Sequence, residues 1–140
     1  MILLDTNVIS EMMLSRPEPV VSVWLDRQPE EELWTASVVL AELLSGIDLM
    51  PTGRLQKALR ESVEGMIAED FRGQTLKFDT TAARRYGQIM ASRHQMGRPI
   101  NQMDALIAAT ALANGASLAT RNTRDFEHCG IQLIDPWKAN

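Results

Sequence analysis

Five short apolar runs punctuate the chain, at Ile2–Leu4, Leu33–Ala36, Leu76–Phe78, Ser117–Ala119 and Gln132–Ile134, each bounded by polar or turn-forming residues. Runs this short without polar alternation suit strands buried on both faces. Between them the apolar positions recur at helical spacing, which predicts helices over Asn7–Met13, Pro19–Gln28, Ser37–Asp48, Thr52–Glu69, Thr80–Met96 and Gln102–Asn114, with a short turn at Thr123–Glu127. The punctuation agrees: Ser37 precedes an apolar run, Pro51 separates two helices and Asn114-Gly115 closes the last long one. Strands alternating with helices predict an α/β fold, a parallel sheet covered by helices. Pro136 and Trp137 read as the end of a final strand that docks an aromatic against the domain.

Composition narrows the class without naming a function. At 140 residues, 45% hydrophobic and 23% charged, the chain is expected to be one domain with a core that needs no staple. The single cysteine, Cys129, has no internal partner, and no Cys/His spacing suits structural zinc, so a reducing cytoplasm is the expected compartment. The opening apolar run stops at Asp5 after four residues with no basic leader, so neither a secretory signal nor a membrane span is expected. A net charge of −4 argues against a protein that binds nucleic acid by broad charge neutralisation. An acidic chain that processes RNA needs divalent metal at its site and a local basic rim.

Four acids stand where such a site would form. Asp5 follows the first strand, at the edge where open α/β sheets place ligand groups, although it also suits a helix N-cap. Glu42 lies in SVVLAELLSGI beside the face that should meet the sheet, where a carboxylate is costly unless paired or metal-bound. Asp104 is the one charge in the long apolar helix DALIAATALANG, with Asn101-Gln102-Met103-Asp104 resembling a capping box as the ordinary explanation. Asp125 sits past the fourth strand in LATRNTRDF, with Thr120 and Asn122 near it, in a stretch that also reads as a turn. Acids brought together from strand ends and early helix turns make physical sense around a hard cation such as Mg²⁺ or Mn²⁺. No glycine-rich phosphate loop appears, and His94 and His128 have no evident nucleophile partner.

Three segments carry a family resemblance together: MILLDTNVIS, SVVLAELLSGI, and GRPINQMDALIAATALANGASLATRNTRDF followed by IQLIDPW. In order and spacing they resemble the PIN-domain ribonucleases, and within them the VapC and FitB toxin branch, from Met1 to Trp137. The resemblance implies a single PIN domain over residues 1–140, an α/β/α sandwich around a central, mainly parallel five-stranded sheet. It implies a Mg²⁺- or Mn²⁺-dependent endoribonuclease, the toxin of a type II toxin–antitoxin system, that hydrolyses RNA with metal-activated water. It further implies a homodimer, inhibition by a cognate antitoxin and a higher assembly on operator DNA through that antitoxin. The family's first three acids fall on Asp5, Glu42 and Asp104, with Thr6 as the supporting hydroxyl. The fourth position falls on Asp125 or Asn122, because some relatives carry Asp where this chain has Asn122.

Positive charge gathers at Arg84, Arg85, Arg93, His94 and Arg98, while Arg121 and Arg124 flank the fourth acid as the better candidates for gripping RNA phosphates. The apolar stretch around Met12, Met13, Leu14, Val20, Val21, Val23, Trp24 and Leu25, continued by Leu43, Leu44, Ile47, Leu49 and Met50, suits either core packing or a groove for an antitoxin segment. Two other classes stand beside the nuclease. One is a PIN-like binding module that has lost catalysis, for which Asn122 leaves an opening. The other is a phosphohydrolase or receiver-like domain phosphorylated on Asp5, against which Asn7 stands where a second Asp belongs.

Overall fold

The computed structural model describes residues 1–139. Its sheet is built on β1 (Ile2–Leu4), whose Leu3 and Leu4 are fully buried. β1 pairs in parallel with β2 (Leu33–Ala36) on one side and with β4 (Ser117–Ala119) on the other. β3 (Thr75–Leu76) extends the sheet beyond β2, and β5 (Leu133–Ile134) extends it beyond β4. The order is therefore β3-β2-β1-β4-β5, with every pairing parallel. This is the five-stranded sheet with intervening helices expected from the alternation of runs, and it is parallel throughout.

Six helices carry the chain between and past the strands: α1 (Thr6–Met12), α2 (Pro19–Asp26), α3 (Ser37–Asp48), α4 (Arg54–Gly65), α5 (Thr80–Gln95) and α6 (Gln102–Ala113). α3 buries Val39, Leu43 and Ile47, an i, i+4, i+8 stripe, and leaves Ser45 and Asp48 outward. α6 buries Ala105 and the run Ile107–Ala111, so it is enclosed on most sides, as its lack of charge predicts. Its alanines let α5 pack along it. Among the described residues no helix is long and apolar enough to cross a membrane.

Beyond shifts of one or two residues at the ends of α1, α2, α5, α6 and β5, three stretches depart from the pattern-based expectation. β3 starts at Thr75 and stops at Leu76, because β2 turns into α3 at Ser37 and offers no ladder beyond Ala36. Phe78, expected in that strand, instead meets Tyr86 edge to face with ring centroids 6.4 Å apart. α4 begins at Arg54 rather than Thr52, behind Pro51 and Gly53, and ends in a π-helical turn, Met66–Asp70, that leads Phe71 into the core. Trp137 lies past β5, in a 3₁₀ turn (Pro136–Lys138) whose start is capped by Asp135 Oδ1 accepting the Trp137 N–H at 2.9 Å. It does pack against the core as the aromatic anchor the sequence suggested.

Candidate metal centre

The strand order reverses between β1 and β4, since β2 and β3 lie to one side and β4 and β5 to the other. Loops leaving neighbouring strands at such a point run apart and open a crevice at the strands' carboxyl ends. Asp5 leaves β1 into it, with its N–H donating to Ala119 O at 2.9 Å so that it remains tied to β4. Its Oδ1 accepts the Thr6 N–H at 2.8 Å and caps α1, while Oδ2 accepts the Thr120 hydroxyl at 2.7 Å and Asn7 Nδ2 at 3.3 Å. The cap and the site are thus the same carboxylate. Burial pushes the Asp5 carboxyl above its usual range, with those hydrogen bonds opposing the shift and the nearby Glu42 adding to it.

Thr120 organises this corner, because its hydroxyl also accepts the Asn122 N–H at 3.1 Å and Asn7 Nδ2 at 3.4 Å. Thr6, from the first turn of α1, donates its hydroxyl to Glu42 Oε1 on α3. Asp104 lies in the first turn of α6, where Asn101 Oδ1 accepts its N–H at 2.8 Å and Asn101 Nδ2 donates back to its Oδ2 at 2.9 Å. The resemblance to a capping box is therefore real, with the Asn side-chain amide in place of the usual backbone donor. Asp104 is pushed up to about 6, first by burial and then by repulsion from Asp5, Asp125 and Glu42. Asp125 stands exposed on a 3₁₀ turn, Thr123–Phe126, with its N–H bonded to Asn122 O at 3.0 Å.

All four predicted acids line one cavity of about 580 Å³, together with Thr6 and Asn122. Arg121 joins them: its N–H donates to Asn7 Oδ1 at 3.2 Å and its guanidinium lies 5.1 Å from the Trp137 ring centroid, a cation–π contact. Arg124 does not line this cavity. It lines an adjoining one of about 440 Å³ that shares Asn101, Asp104 and Asp125 with the first and adds Arg93 and Arg98. The basic run from residue 84 to 98 therefore divides: Arg84, Arg85 and His94 are exposed and line neither cavity. Arg93 is buried.

Glu11 escaped the sequence reading altogether, and Trp137 and Arg93 were named there without a part in the acid site. Glu11 is 8% exposed, lines the acid cavity, and its Oε2 is buried without a hydrogen-bond partner. It lies one helical turn past Asn7 on α1, a spacing that places both on the face turned to Asp5. Trp137 also lines the cavity, and its Nε1 is likewise buried and unpartnered. For Arg93 nothing local announced a role.

The donor set suits a hard divalent ion: it is all oxygen, it is drawn from four separate elements, and among the described residues no ion pair reaches any of the four acids. Among those residues no three His, Cys, Asp or Glu side chains are grouped to hold an ion as they stand. Like charges with nothing between them stand apart, and the raised pKa of Asp104 records that repulsion.

The family model for the PIN domain matches residues 2–131. The chain is 44% identical over 139 residues to the plasmid stability protein StbB of Pseudomonas syringae pv. tomato, covering 99% of this chain and 100% of that one. It is 40% identical over 138 residues to the VapC ribonuclease Y4jK of Sinorhizobium fredii, covering 99% of each. The crystal structure of FitAcB from Neisseria gonorrhoeae superposes with a TM-score of 0.90 at 37% identity, covering 99% of both chains.

Proposed function

The chain belongs to the PIN domain family, and from that premise we propose that it is a divalent-metal-dependent endoribonuclease, the toxin of a type II toxin–antitoxin pair. The observation that carries this reading is the convergence of Asp5, Glu42, Asp104 and Asp125 on one cavity at the switch point of the sheet, with no ion pair to any of them among the described residues. The whole chain acts as one such domain, in the cytoplasm.

Asp5 and Asp104 would hold the ion, Mg²⁺ or Mn²⁺, and Asp125 or Asn122 would orient a second ion or its hydration. Bound there, a divalent cation lowers the pKa of water and neutralises charge on the phosphodiester. Glu42 is steered through Oε1 by Thr6, which leaves its other oxygen to orient or deprotonate the attacking water. Attack in line by water leaves a 5′-phosphate and a 3′-hydroxyl. Arg121 lines the acid cavity and Arg124 the adjoining one, and they take the flanking RNA phosphates.

The antitoxin's place is marked by a third, apolar groove of about 370 Å³ lined by Met13, Leu14, Leu43, Ile47 and Met50. The groove shares Thr6, Ser10, Leu14 and Glu42 with the acid cavity, so a segment laid into it reaches the catalytic acids and blocks them. The chain acts as a homodimer, and the toxin–antitoxin assembly reaches operator DNA through the antitoxin. Of the other apolar residues singled out from sequence, Val21 is core, while Val20, Val23 and Trp24 line a separate small cavity.

The test is cleavage by partner-free protein of structured and single-stranded RNA, with Mg²⁺, Mn²⁺ or chelator, beside Asp104→Asn. Metal-dependent cutting that the variant lacks supports the proposal. Equal behaviour of the two proteins under every condition defeats it and favours the binding-module alternative.

A further inference from the structure

Arg93, on the last turn of α5, is 5% exposed, and among the described residues no carboxylate pairs with it. A buried charge without a counter-ion is costly and persists where its hydrogen-bond donors find acceptors. Arg93 spends them on backbone. Its Nε donates to Arg98 O at 2.7 Å, and its Nη1 donates to Asp125 O at 3.1 Å and Glu127 O at 2.9 Å, with Cys129 Sγ at 3.6 Å. Its own carbonyl accepts the Arg98 N–H at 3.0 Å.

These bonds join two loops far apart in the sequence, which the exposed pair Arg98 Nη2–Glu127 Oε2, 3.2 Å apart, also links. One runs from Met96 to Asn101, the N-cap of the helix that carries Asp104. The other holds Asp125. Phe126, 1% exposed, pins that second loop into the core, and one guanidinium nitrogen grips the carbonyls on either side of it. Anchored at three consecutive residues, the turn has little freedom to rotate, so the Asp125 side chain is held at the mouth shared by the two cavities. Only a planar fork of donors spans these acceptors together, which an ammonium does not do.

We propose that Arg93 is a positioning residue: through the carbonyls of Arg98, Asp125 and Glu127 it sets the separation of Asp104 and Asp125, and with it the site's grip on a divalent ion. This rests on the ribonuclease reading above. It assigns Arg93 to the frame of the site and removes it from the RNA-gripping group in which its sequence neighbours would place it.

The experiment is a double-mutant cycle on the full chain with wild type, Arg93→Lys, Asp125→Asn and the two combined. Mn²⁺ affinity is read by calorimetry, and kcat and KM are measured on RNA. Arg93→Lys is expected to weaken Mn²⁺ binding by about 10- to 100-fold, the usual cost of losing an outer partner of a metal ligand. It lowers kcat while leaving KM for RNA in place, and it adds nothing to Asp125→Asn. Additive losses, or Mn²⁺ affinity equal to wild type, overturn the proposal. If wild type binds Mn²⁺ and cuts RNA while Arg93→Lys matches it, this proposal alone falls; if wild type does neither, the ribonuclease reading falls with it. Should Arg93→Lys not fold, side-chain ¹⁵N NMR of wild type decides: slow exchange of the Arg93 Nε–H supports the strut, and fast exchange overturns it.

Discussion

The two sides of the acid cavity are built on different principles. On one, Asp5 ends the central strand, 5% exposed, with its carboxylate taking hydrogen bonds from a backbone amide, a hydroxyl and a side-chain amide. On the other, Asp125 is exposed on a single 3₁₀ turn, and its place is set through its backbone by Arg93. The first side is rigid because the sheet makes it so. The second is held by Phe126 in the core and by the carbonyl bonds of Arg93 reaching from α5, beside the exposed Arg98–Glu127 pair. The fold thus fixes one ligand position through the sheet and the other through a side chain and a buried ring, which suits acids that repel one another until an ion lies between them.

The sharpest way to break this contrast is to neutralise each acid in turn. Asp5→Asn is expected to cost more than the roughly 100-fold typical of an outer partner, whereas Asp125→Asn falls within about 10- to 100-fold, in RNA cleavage rates at saturating Mg²⁺. Equal losses would erase the distinction between the two sides. Thr120→Val comes next. It strips a fully buried hydroxyl that donates to Asp5 and accepts from two amides, so urea unfolding should show a loss of about 1–3 kcal/mol together with slower cleavage.

A smaller effect follows from Asp104. Its folded pKa, about 6, lies above the ordinary 3.8, so between those values the folded chain keeps a proton that the unfolded chain has released. Stability of the metal-free protein therefore falls as pH rises through that window and levels off above it. Asp104→Asn flattens the slope to the part that Asp5 contributes and, near neutral pH, is expected to stabilise the protein by on the order of 1 kcal/mol once solvent screening is allowed for. Thermal unfolding in chelator from pH 4 to 7 measures both. Mg²⁺ should reverse the sign by favouring the charged form. The smallest effect belongs to Arg84→Gln, on an exposed position that lines neither cavity: cleavage and its salt dependence should stay as in wild type.

Much of this arrangement is legible in the chain itself because it is local. The runs at 2–4, 33–36 and 117–119 became strands at those bounds, and helix α3 begins and ends where its apolar stripe predicts. Asp5, Glu42 and Asp104 could be singled out because each is a charge out of place in an apolar segment. What was hidden depends on partners far along the chain. Arg93 lies 32 and 34 residues from two of the carbonyls it binds, and its neighbours Arg84 and Arg85 made it look like one more member of a solvated basic face. Glu11 passed for an ordinary helix acid, since only the folded wall of the cavity encloses it. β3 slipped because two residues of ladder are fixed by where β2 ends, a limit that Phe78 cannot reveal on its own.

The pairing of β1 with β4 has a temporal side. Leu3 lies beside Leu118, and Asp5 receives its hydroxyl bond from a residue 115 positions later. Loops that long close late, and chains emerge from the ribosome amino end first. A nascent chain that has reached Gly97 holds Asp5 and Glu42 but neither Asp104 nor Asp125, and it has no β4 to seat its first strand. The topology therefore works as a delay: the four acids come to share one cavity only after the last third of the chain is made.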